Sequence, residues 1–180
     1  MTLQEQMKET YFVPDYRLVV YCAASHYDAV WKRDRHSNVA QALPDLPLSE
    51  HNCTTLRAAL EKYDFVDTGP GGVYNLDDDP TKADADEVVF SIRKRLTDNP
   101  QKNFIIVYIL SGHGIQDSQR KQALVLNEFH DKTRYYKLWP LENNIRPLAE
   151  DFSNSYHIVF CVCSRAILDH GVHSGGFPTK

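Results

Sequence analysis

Asn103-Phe-Ile-Ile-Val-Tyr-Ile-Leu-Ser-Gly-His-Gly114 is the stretch on which the reading of this chain turns. From Phe104 to Leu110 every side chain is apolar and β-favouring, with no polar alternation. Such a run predicts a strand buried on both faces, the kind found inside parallel sheets. It stops at Ser111-Gly-His-Gly114, where a histidine stands between two glycines. The same pattern occurs twice more. Arg17-Leu-Val-Val-Tyr-Cys-Ala-Ala24 reads as a buried strand near the start, and His157-Ile-Val-Phe-Cys-Val-Cys163 as the last one.

Helical signals lie between these strands. Ser49 suits the N-cap of a helix through Tyr63, with Leu56, Ala59, Leu60 and Tyr63 on one face. Phe65-Val66 can start a short strand, and Gly69-Pro-Gly-Gly72 is a turn too short and wrongly placed for a phosphate loop. Thr81-Lys-Ala-Asp84 has the form of a capping box, followed by Ala85, Val88, Val89, Ile92 and Leu96 on one face, and Asn99-Pro100 ends that helix. Ala123-Leu-Val-Leu126 reads as a short strand in a hairpin. Pro140 suits position N1 of a helix carrying Leu141, Ile145 and Leu148, which Pro147 shortens or kinks. Strands alternating with helices predict an α/β fold with a parallel or mostly parallel sheet and helices on both faces. Residues 1–16 form a polar lead-in and 17–180 a single domain.

Composition excludes several classes. The net charge is −4 with both signs interspersed, so there is no general attraction to nucleic acid or anionic membrane. No apolar run approaches bilayer length, and the polar N-terminus has no signal-peptide core. The four cysteines, Cys22, Cys53, Cys161 and Cys163, have neither disulfide-scaffold nor zinc-finger spacing, and fit reduced thiols in a cytoplasmic protein. No metal or cofactor is expected. Asp77-Asp-Asp79 is a charged loop suited to the helix N-terminus that follows, and Arg33 and Arg35 lie in a long polar stretch from Ser25 to Pro47.

In open α/β sheets, sites gather beyond the carboxyl ends of the strands. Two strands here end in reactive residues, His113 and Cys163. An imidazole beside a thiol can take its proton or stabilise the thiolate. The N–H groups of Gly114 and Cys163 are candidate donors to a tetrahedral oxyanion. Cys161 is the competing nucleophile, since two residues apart on a strand it shares a face with Cys163. A disulfide between the two fits a straight strand poorly.

Ser111-Gly-His-Gly114 after an apolar strand, then a strand ending in cysteine fifty residues after the histidine, resembles the caspases, metacaspases and paracaspases. The resemblance runs in element order from about Arg17 to Ala166. It implies a caspase-like three-layer sandwich and a cysteine endopeptidase with Cys163 as nucleophile, His113 as acid and base, and Gly114 and Cys161 at the substrate. Cys161 stands where those families carry the glutamine or aspartate of the specificity pocket. Leu46 stands where caspases carry an arginine, and His51-Asn52-Cys53 where metacaspases tend to have Asn-Asp-Ala. Neither known pocket carries over, so the residue preferred before the cleaved bond is open. Partners implied are a peptide or protein substrate, a small-subunit chain or downstream segment, and a homo- or heterodimer. The alternative is a catalytically inactive caspase-fold module that binds or regulates a partner.

Overall fold

The computed structural model describes residues 12–25, 46–63, 65, 73–76, 80–116, 122–130 and 135–165. Most of the polar lead-in, most of the Ser25–Pro47 stretch with Arg33 and Arg35, the 69–72 turn and the 77–79 acidic run lie outside them.

Among the described residues ten elements follow in order: β1 (Tyr16–Ala23), α1 (Leu48–Glu61), β2 (Val73–Leu76), α2 (Lys82–Asp98), β3 (Phe104–Gln116), β4 (Gln122–His130), β5 (Tyr135–Pro140), α3 (Leu141–Asn144), α4 (Arg146–Asp151) and β6 (Ser155–Arg165). The fold is α/β with an open central sheet. Its strand order is β2-β1-β3-β4-β5, and β6 also pairs with β3.

The sheet is mixed, which corrects the expectation of a mostly parallel one. Strands β2, β1, β3 and β6 are mutually parallel, while β4 runs against β3 and β5 turns back against β4, so both of their pairings are antiparallel. The reason is connection length. A parallel pair needs a crossover of about a dozen residues or more. The links between β3 and β4 and between β4 and β5 are far shorter, so the chain can only turn back on itself. The parallel strands are each joined through helical segments, as the alternation of patterns predicts.

Strand alternation divides the core. Leu18, Val20, Cys22, Phe104, Ile106, Tyr108 and Leu110 pack with Ala85, Ile92 and Leu96 of α2 and Leu148 of α4. Val19, Tyr21, Ala23, Val107 and Ile109 pack instead with Cys53, Leu56 and Leu60 of α1. A strand buried on both faces must be apolar at every position, which is why β1 and β3 read as unbroken runs.

Local signals decide the helix ends. Thr81 caps α2 by a reciprocal box: its hydroxyl accepts from the Asp84 N–H, and the Asp84 carboxylate accepts from the Thr81 N–H at 2.9 Å. In contrast, α1 begins one residue before Ser49, which lies buried inside the helix without a side-chain cap. The helix expected after Pro140 is two short ones broken at Ile145, with Pro147 in the first turn of the second, where its missing N–H has no partner to lose. Phe65 is not in a strand; the short strand of this region is β2.

β4 and β6 flank opposite edges of β3, because Gly114 pairs with both Leu124 and Arg165. Among the described residues β6 therefore pairs along one edge only. It leaves Tyr156, Ile158, Val159, Phe160 and Val162 exposed by 39–55%. No helix among the described residues is long and apolar enough to cross a membrane.

Candidate active site

β3 and β6 bring the two motifs together. Their parallel register pairs Gly112 with Cys163, His113 with Ser164 and Gly114 with Arg165. Fifty residues of sequence separation thus close to one inter-strand spacing, about 4.8 Å, at the carboxyl end of both strands. The end of β1 lies at the same rim: Ala24 N–H donates to Ser111 O, and Leu46 N–H to Ser25 O. The first two turns of α1 close over it, with Ser25 Oγ donating to Glu50 and Cys53 Sγ to Cys22 O.

Cys163 is half-buried, Cys161 is exposed, and all four cysteines are thiols. The Cys161 and Cys163 sulfurs lie 3.4 Å apart, and Cys163 Sγ is also 3.8 Å from the Leu110 carbonyl oxygen. Gly114 lies close against Cys163. A Cβ on Gly114 would lie 2.9 Å from Cys163 Cβ and 3.5 Å from its sulfur, so the close approach of the strands here requires glycine. Gly114 also has a paired strand on each side, so its N–H faces a neighbouring strand rather than open solvent.

His113 is buried, at 4% exposure. The pairing runs unbroken from Phe104 to Gly114, and Gly114 is on the thiol face. Alternation therefore sends the His113 side chain to the other face, the one shared by Val107, Ile109 and Ser111. Ser111 Oγ donates there to the Val162 carbonyl. The backbones of His113 and Cys163 are neighbours, while imidazole and thiol leave the sheet on opposite sides.

The electrostatics follow the sulfur pair. The Cys161 thiol is held down to about 7, chiefly by its hydrogen bond with Cys163, against a smaller opposing effect of burial. Cys163 is pushed up, first by the same hydrogen bond, which favours its protonated form, and then by burial.

Sequence reasoning assigned no role to His157, which the structure makes a polar anchor of β6. Ser155 Oγ donates to Phe152 O at 2.8 Å, so it must accept from His157 Nε2–H at 2.9 Å. Nδ1 is then the acceptor for the Tyr108 hydroxyl at 3.0 Å. Burial lowers the His157 pKa to about 4, so the ring is neutral at pH 7.

No protein-family model matches the chain, and no curated protein matches it. A depression of about 320 Å³ lies apart from both motifs, lined by Tyr74, Asn75, Pro80, Asp84, Glu87 and Ser91. Its lining includes neither a cysteine nor a histidine, and its Asp84 is already engaged by Thr81.

Proposed function

We propose that this chain is the catalytic half of a caspase-like cysteine endopeptidase with a three-layer arrangement of helices about the sheet. The observation that supports it is the pairing of β3 with β6, which aligns Ser111-Gly-His-Gly114 with Cys161-Val-Cys-Ser164 at one rim. Cys163 as thiolate attacks the scissile carbonyl carbon. His113 takes the thiol proton and delivers it to the leaving amine, and water then hydrolyses the thioester. The backbone N–H groups of Gly114 and Cys163 hold the oxyanion, and Cys161 lies at the substrate side chain.

This chemistry requires a rearrangement at the rim. The imidazole must turn to the thiol face, and the Gly114 N–H must come free of the sheet. Gly112 and Gly114 on either side of His113 are where the backbone rotates at least cost. Catalytic contacts of this kind often form only with substrate bound. The exposed apolar edge of β6 supports a further strand, from a downstream segment or a partner chain, whose docking would redirect the strand end and wall the pocket.

A second reading is favoured by the opposite-face geometry itself: a caspase-fold module without turnover that binds or regulates a partner. A peptide probe that alkylates nucleophilic cysteines separates the two. Labelling at Cys163 that is lost in His113→Ala supports the peptidase. Absence of labelling, both in the chain alone and with its downstream coding region, supports the module.

A further inference from the structure

Cys161 and Cys163 form a dithiol whose geometry suits a reaction other than peptide cleavage. Both side chains leave β6 on the same face, with sulfurs 3.4 Å apart. Two residues along a strand separate Cα atoms by about 6.6 Å, inside the upper part of the span that disulfides bridge. A straight strand fits such a bond poorly, but here the sulfurs already touch. β6 is held along one edge only among the described residues, so it can pucker. Cys161 is exposed to solvent, and Cys163 sits half-buried behind it. The other two thiols do not compete, since Cys22 is 0% and Cys53 4% exposed.

We propose that Cys161 and Cys163 are a peroxide-sensitive dithiol, with Cys161 the sulfur that is oxidised first and Cys163 the sulfur that resolves it. The Cys161 thiolate attacks one oxygen of hydrogen peroxide. An S–O bond forms, the O–O bond breaks, and hydroxide leaves and is protonated to water. Cys161 is then a sulfenic acid. Cys163 sulfur attacks the Cys161 sulfur, the S–O bond breaks, and the departing hydroxide carries off the Cys163 proton as a second water. Two thiols and one peroxide give one disulfide and two waters, and an external thiol reverses the step. The lowered pKa of Cys161 agrees with this order, because the thiolate is the nucleophile and the neighbouring S–H is held in reserve. One consequence rests on the peptidase reading: with its sulfur in the disulfide, Cys163 cannot acylate, and proteolysis would switch off under oxidation.

The test uses the whole chain, fully reduced, exposed to hydrogen peroxide with and without dimedone, then mapped by intact and peptide mass spectrometry. The expected product has lost two hydrogen atoms, carries the bond within the peptide that spans Cys161 and Cys163, and returns to the starting mass with dithiothreitol. Cys163→Ser should stop at a dimedone adduct on Cys161, and Cys161→Ser should slow oxidation at least tenfold. In the unsubstituted chain, early dimedone capture should fall on Cys161, which decides the order even if a variant misfolds. First capture at Cys163, a bond only between chains, oxidation confined to Cys22 or Cys53, or no mass change would each overturn the proposal. The mass readout needs no turnover, so it stands or falls separately from the peptidase reading.

Discussion

Gly114→Ala is the substitution that probes the site most directly, because it adds one methyl where the two motif strands meet. The new Cβ would lie 2.9 Å from Cys163 Cβ and 3.5 Å from its sulfur. Non-bonded carbons settle at about 3.5–4.0 Å, so β3 and β6 must separate by roughly 0.6 Å or more at this point. The colliding atom is a Cβ fixed to the backbone, which a rotamer change cannot move. Overpacking of this kind costs about 1–3 kcal/mol. For a chain of this size each kcal/mol lowers the melting temperature by about 2–4 °C, so the expected fall is between about 2 and 12 °C. Urea denaturation and thermal melting followed by circular dichroism measure it. A double-mutant cycle locates the clash. Cys163→Gly removes the opposing Cβ and should absorb most of the cost, with a coupling of about 1–2 kcal/mol, whereas Cys163→Ala keeps that atom and should not. If Gly114→Ala stays within about 0.5 kcal/mol of the parent, or if both Cys163 variants rescue it equally, the register of β3 against β6 at this rim is wrong.

Three further outcomes are expected. Cys163→Ala should lower peptide turnover at least about a thousandfold with the fold intact, while Cys161→Ala should stay within about tenfold; the reverse order in a peptide-library assay would make Cys161 the nucleophile. His157 should make the fold acid-sensitive. Its pKa falls from 6.5 to about 4 on folding, so the unfolded chain takes up the proton first as pH drops. Stability is fully present above about 6.5, is lost progressively towards 4 and is flat below that for this group. The full shift corresponds to about 3 kcal/mol, or about 2 after allowance for the partly exposed ring. Urea titrations at several pH values should show this slope, and His157→Gln should flatten it; an unchanged slope in the variant would remove His157 as its source. Thr81→Ala should cost about 1 kcal/mol by opening the α2 capping box, and an unchanged urea midpoint would show that the box contributes nothing.

Much of the chain declares itself locally. The apolar runs of β1, β3 and β6, the capping box at Thr81 and the stop at Asn99-Pro100 depend on residues within a few positions of one another, so the sequence by itself determined that these elements exist and in what order. Local signals also carried the pairing of a histidine motif with a cysteine motif at two strand ends. Four matters were decided only by the tertiary structure. β2 has four residues with Asn75 among them, too little pattern to read until β1 pairs with it. β3 runs past His113 to Gln116 because β4 folds back on it and supplies hydrogen bonds that a reader of residues 111–116 cannot see. The sulfur pair at 3.4 Å and the half-buried Tyr108–His157–Ser155 chain arise from side chains that meet across or along a pleat. Finally, the face on which each reactive side chain emerges depends on register, and a shift of one residue reverses it. Register is set by hydrogen bonds between strands fifty residues apart, and that is why the sequence could name His113 and Cys163 but the fold had to decide that they leave the sheet on opposite sides.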